Sequence, residues 1–124
     1  MPEYDGQLFS PPAPTANISI KNPDTGSTLN GVSVLLDTGA DISVLPKSVV
    51  DALGLPVGES SYEVMAYDNS VSEHPAVRAE VVFLHKRFKG QFLVLDQGVG
   101  VLGRDVLNHV LLILDGPNLE WDSR

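Results

Sequence analysis

The chain has 124 residues, with 16 acidic against 8 basic side chains, a formal net charge of −8 and no cysteine. A chain of this length buries roughly 65–70% of its unfolded surface, enough for one hydrophobic core and not for two lobes with a cleft between them, so an active site needing two walls must borrow the second. The charge argues against nucleic acid and acidic membrane surfaces as partners, and the missing thiols exclude disulfides, cysteine catalysis and thiolate zinc sites.

Residues 1–15 contain four prolines, including Pro11-Pro12-Ala13-Pro14. Such a segment has few apolar side chains to bury and tends to extended conformations, so a flexible arm is expected there, with the folded domain over residues 16–124. The opening Met1-Pro2-Glu3-Tyr4-Asp5-Gly6 lacks the basic and apolar regions of a signal peptide. The longest apolar run, residues 110–114, is far short of the roughly 20 residues that span a bilayer. A soluble, cytoplasmic protein with no membrane partner is the expectation.

Asn17-Ile18-Ser19-Ile20-Lys21 alternates polar and apolar residues with the period of a strand. Asn22-Pro23-Asp24-Thr25-Gly26-Ser27 is a turn signal, and residues 29–36 return as a second strand. Residues 46–53 place apolar side chains at Val49, Val50 and Leu53 between Pro46 and Gly54, the pattern of a short helix with its stop. Strands are expected over 62–67, 77–84 and 92–95, with turns at Asp68-Asn69-Ser70 and over 86–90. A second short helix over 103–109, the apolar run 110–114, a turn at Asp115-Gly116-Pro117-Asn118 and a strand over 119–121 complete the chain. Many short strands with two small helices predict a mostly β, barrel-like domain and not alternating βαβ units.

The tripeptide Asp-Thr-Gly occurs twice. At Asp24-Thr25-Gly26 the context is polar and the residues suit a hairpin turn, so no chemistry is assigned there. Asp37-Thr38-Gly39 instead follows the apolar strand Val34-Leu35-Leu36 and precedes Ala40-Asp41-Ile42-Ser43-Val44-Leu45-Pro46. A carboxylate at the end of an apolar strand is costly to bury without a partner.

The segments Leu35-Leu36-Asp37-Thr38-Gly39-Ala40-Asp41-Ile42-Ser43-Val44-Leu45 and Val101-Leu102-Gly103-Arg104-Asp105-Val106-Leu107 resemble the retropepsin-like aspartic proteases, half-sized relatives of pepsin that work as homodimers. The resemblance covers about residues 16–121, and the C-terminal turn looks more like the cellular or bacterial members than the viral ones. It implies a closed barrel, the acid-protease half-fold, assembling as a twofold homodimer on a peptide or protein substrate, with no metal or other cofactor. Asp37 would be the catalytic carboxylate, sharing a proton with its symmetry mate. Thr38 would reach across the dimer axis, and Gly39 would let a peptide lie close. Asp41 and Arg104 would form an ion pair tying the active-site loop to the second helix, or Arg104 would serve a helix end. Ser43 stands where the family often has a hydroxyl, and local turn bonding explains it equally well.

The resemblance further implies a flap over residues 62–77, with its tip within 66–70 and Ala66 and Tyr67 near substrate, although the glycine-rich tip of viral members is missing. Ala40, Leu35, Val99 and Val101 would contact substrate and favour apolar side chains at the scissile bond. Leu119 and Trp121 would serve the dimer interface or, for Trp121, the core. The rival function is a dimeric binding or assembly module that hydrolyses nothing, and a third possibility is a self-processing domain.

Gly98-Val99-Gly100-Val101-Leu102-Gly103 matches a dinucleotide-binding pattern, but the 21 residues that follow Gly103 leave no room for the required helix and strand. His74, His85 and His109 lack metal-ligand spacing.

Overall fold

The computed structural model describes residues 2–65 and 68–124, with the backbone alone for 58–62 and 64. Ten strands and two short helices occur among the described residues: β1 (Tyr4–Asp5), β2 (Ala13–Lys21), β3 (Thr28–Leu36), β4 (Val44–Pro46), α1 (Lys47–Leu53), β5 (Val57–Met65), β6 (Val71–Phe83), β7 (Lys86–Leu95), β8 (Gly100–Leu102), α2 (Arg104–Leu107), β9 (Leu112–Asp115) and β10 (Glu120–Ser123). The main sheet runs β1-β2-β3-β8-β4-β7-β6-β5, and β2 also pairs with β6. That extra pairing closes β2, β3, β8, β4, β7 and β6 into the expected barrel. The register of β2 shifts between Ile18 and Ile20, and the next residues, Ser19, Ile20 and Lys21, meet Val82, Val81 and Glu80. An irregularity of this kind increases strand bend and twist, which lets one strand serve two neighbours.

Alternation sets the inward face. Val32, Val34 and Leu36 of β3 are buried with Ile18 and Ile20 of β2, and Leu102 of β8 joins them. The odd positions of β3 therefore face away from this core, a parity that carries through Leu35 to Asp37. Helix α1 buries Val49, Val50 and Leu53 and stops at Gly54 in the left-handed conformation, as its sequence predicts. The Asp24 tripeptide is the β2–β3 turn: the buried Asn22 accepts hydrogen bonds from the Asp24 and Thr25 N–H groups at 2.9 and 3.3 Å and donates to Leu53 O at 2.8 Å. Asp24 itself forms an exposed ion pair with Arg78 at 3.2 Å.

Two local expectations change, and one left open is decided. Residues 86–90 belong to β7, and the β6–β7 turn consists of Leu84 and His85, both with positive φ, at 52° and 64°. A two-residue hairpin loop needs that conformation, and the strand pairing imposes it on residues that do not favour it. The first fifteen residues, expected as a mobile arm, carry backbone pairing: Tyr4 opposes Pro14 and Asp5 opposes Ala13. Trp121 is core, 3% exposed, stacked obliquely on Phe83 with its indole N–H donating to Thr15 O at 2.8 Å, whereas Leu119 is exposed. Among the described residues no helix is long and apolar enough to cross a membrane.

Candidate active site

Asp37 follows β3 directly. Its N–H donates to Leu102 O at 3.0 Å, which ties the strand end to β8, and its carbonyl accepts from Ala40 N–H at 3.2 Å to close a turn. The half-buried carboxylate accepts a hydrogen bond from Gly39 N–H at 2.8 Å. A Cβ at residue 39 would sit 3.0 Å from that oxygen, so glycine leaves the carboxylate room.

Arg104, at the start of α2, clamps this turn from below. Its backbone N–H donates to Ala40 O at 2.8 Å and its guanidinium to Thr38 O at 2.6 Å. The expected Asp41–Arg104 ion pair is absent: the ion pairs among the described residues are Lys47–Asp51 and Arg78–Asp24. The guanidinium is committed to the Thr38 carbonyl, and Asp41 is exposed, where an ion pair adds about 0–1 kcal/mol at most. Arg104 thus links loop and helix through the main chain in place of a carboxylate.

The polar connection beneath the loop runs instead through Ser43 and Asp105. Ser43 is fully buried; its hydroxyl donates to Asp105 Oδ1 at 2.6 Å and accepts from Gly103 N–H at 2.9 Å, while its N–H donates to Asp105 Oδ2 at 3.0 Å. Asp105 was missed in the sequence because it reads as an ordinary acidic residue in a first helical turn; the signal was its place directly after Arg104 in the second motif. Gly103 is required by approach, since a Cβ there would lie 2.7 Å from Ala40 O. Gly100 is crowded likewise, a Cβ lying 2.9 Å from Val44 O, so Gly100 and Gly103 serve packing around β8, whereas Gly98 has open space.

One concavity contains Asp37, and a second contains Leu35, two residues before it. One, of about 640 Å³, is lined by Asp37, Gly39, Ala40, Asp41 and Arg104, with apolar walls from Ile42, Val44, Leu93 and Leu95 and an edge from Glu63 and Met65 of β5. Sequence reading assigned β5 to a flap but named neither Glu63 nor Met65. The second, of about 360 Å³, gathers the expected Leu35, Val99 and Val101 with Leu8 and Phe9. The β5–β6 hairpin pairs Met65 with Val71, and Asn69 between them has φ 67°. The Ser70 hydroxyl and backbone N–H hold the Asp68 carboxyl below its ordinary range. Ala66 and Tyr67 lie outside the described residues.

The profile of the family described as aspartyl protease matches residues 25–106, more than half of the chain. The chain belongs to the aspartyl protease family. The match includes Asp37 and excludes Asp24. Solved structures that resemble this aspartyl protease include the EIAV protease complexed with the inhibitor HBY-793, at 28% identity and a TM-score of 0.58 over 78% of this chain and 86% of that one. A retropepsin-like aspartic protease from Rickettsia conorii aligns at 22% identity and a TM-score of 0.55 over 88% of this chain and 91% of that one. The fold is therefore retropepsin-like, shared with a viral and a bacterial protease. No curated protein matches the sequence.

Proposed function

We propose that this member of the family is a homodimeric aspartic endopeptidase whose active site joins Asp37 of one subunit to Asp37 of the other. The observation that carries the reading is the placement of Asp37: a half-buried carboxylate on a clamped turn, lining a concavity with apolar walls, in a barrel that supplies one such turn. A peptide-sized cleft and a second carboxylate both come from a twofold mate. Leu111, Ile113, Leu114 and Leu119, exposed on and around the C-terminal hairpin, support such an association.

Two carboxylates facing each other share one proton, because a second negative charge at that distance is costly. The ionised partner takes a proton from a water held between them, and the water oxygen bonds to the scissile carbonyl carbon. The protonated partner gives its proton to the carbonyl oxygen, forming a neutral tetrahedral diol. Proton transfer to the amide nitrogen then breaks the C–N bond and leaves a carboxylic acid and an amine. Thr38 braces the two loops across the axis, Arg104 holds each loop from beneath, and Gly39 leaves space for an extended peptide. The apolar walls favour apolar side chains beside the scissile bond.

The test is cleavage of a peptide library by wild type, Asp37→Asn and Asp24→Asn between mildly acidic and neutral pH. Asp37→Asn is expected to abolish turnover, whereas Asp24→Asn, in a surface turn, leaves it within about twofold. Activity retained by Asp37→Asn overturns the assignment. A wild type that binds a statine-type peptide at two chains per ligand but never cleaves favours a binding module.

A further inference from the structure

Residues 6–12 form a strap across the face of the barrel that carries Asp37. Both ends are pinned, since Tyr4 and Asp5 pair with Pro14 and Ala13. The Asp5 carboxylate accepts hydrogen bonds from the Gln7 and Leu8 N–H groups at 2.8 and 2.9 Å, folding the chain back on itself. Gly6 packs so closely on Pro12 that a Cβ would approach the ring to 3.3 Å. This short loop presents Leu8 and Phe9 to the concavity of about 360 Å³ whose other side is Leu35, Val99 and Val101.

That wall adjoins the catalytic carboxylate. Leu35 and Val101 are register partners in adjacent parallel strands, so their side chains stand on the same side of the sheet. Val34 and Leu36 point into the core, which leaves Leu35 on the outward face two residues before Asp37. Phe9 is half-buried and Leu8 is 62% exposed, and both bound the concavity opposite this wall, so the strap covers the space without filling it. Apolar side chains placed there narrow the space that a substrate side chain needs.

We propose that the strap is an intramolecular competitor: Phe9 and Leu8 cover the apolar concavity walled by Leu35, Val99 and Val101, and peptide substrate binds there by displacing them. The inference rests on the endopeptidase reading and adds a regulatory device to the same site. Displacement lowers apparent affinity by the fraction of molecules with the strap lifted. The strap is held by one carboxylate cap and a two-residue strand, so lifting it leaves the barrel intact.

The experiment uses the full chain with Leu8→Ala and Phe9→Ala combined, and separately Asp5→Ala, which removes the cap and keeps the apolar side chains. On an internally quenched peptide with apolar residues around the scissile bond, the double variant is expected to lower KM about tenfold with kcat unchanged, and Asp5→Ala to move KM the same way by less. Methyl resonances of Leu35, Val99 and Val101 should shift in the double variant and return when the synthetic peptide Gly-Gln-Leu-Phe-Ser-Pro-Pro is added. Unmoved methyls overturn the seat, and shifted methyls with an unchanged or higher KM overturn the competition. If neither protein cleaves, the endopeptidase reading fails separately. Binding of an uncleavable apolar peptide, followed at the same methyls, then decides the competition, which equal affinity in both proteins overturns.

Discussion

Ser43 holds the floor of the Asp37 loop through four hydrogen bonds. Besides its contacts with Asp105 and Gly103, its carbonyl accepts from Leu93 N–H at 3.0 Å, so one small residue joins β7, β8 and α2. A serine fits because its hydroxyl, fully buried, donates to the Asp105 carboxylate and accepts from the Gly103 N–H. Ser43→Ala keeps the volume nearly constant but leaves the buried Gly103 N–H without an acceptor, a loss of about 1–3 kcal/mol. The expected result is a Tm lower by about 3–10 °C in scanning calorimetry. A Tm within about 1 °C of wild type would show that the hydroxyl is not the support described. Asp41, by contrast, has no partner of this kind; its exposed carboxylate borders the larger concavity and is free to meet a peptide backbone or side chain.

At the scale of elements, the C-terminal hairpin of β9 and β10 is a two-stranded ribbon outside the barrel sheet, and such a ribbon is marginal alone. Trp121 anchors it on Phe83, and Trp121 N–H donates to Pro2 O at 3.0 Å, while Ile113 and Leu114 face solvent. Leu114→Glu is therefore expected to leave the fold within about 0.5 kcal/mol of wild type while shifting sedimentation to the monomer and abolishing cleavage together. A dimer that survives this change places the interface elsewhere. The hairpin also shows how far local pattern carries. The split between Trp121 and Leu119 was open in the sequence because both are large and apolar; only the register Trp121 opposite Leu114 and the reach of the indole to Thr15 decide it. Asp37 was legible because an apolar strand and two motifs surround it, and α1 because Pro46 and Gly54 bracket it. The Leu84–His85 turn was not, since neither residue advertises positive φ. The partner of Arg104 was not either, because charge suggests a carboxylate while the packing of α2 aims the guanidinium at a carbonyl. Likewise, four prolines concealed a strap whose pairing depends on Tyr4 and Asp5 meeting β2.

For the whole molecule, the proposed association brings together two chains of formal charge −8 each, so such a dimer carries −16. The exposed apolar residues of the C-terminal hairpin favour association, and this charge opposes it. Lowering the pH reduces the opposition. Protons taken up on acidification lower the magnitude of each chain's negative charge. The apolar contribution does not change with pH, so the balance shifts toward the dimer on acidification until the protonation of hydrogen-bonded carboxylates begins to unfold the chain. Asp68 contributes locally in that sense: its exposed carboxyl is held below its ordinary range by Ser70, so its contribution to the β5–β6 turn is present above the unfolded-state pKa and is lost as pH falls through the folded one. Sedimentation at matched low ionic strength is therefore expected to give tighter dimers at about pH 5 than at about pH 7.5, with peptide cleavage rising in parallel at subsaturating protein. Added salt should narrow the difference by screening the repulsion. Weaker association at the lower pH, with the fold intact by circular dichroism, would show that net charge does not govern assembly.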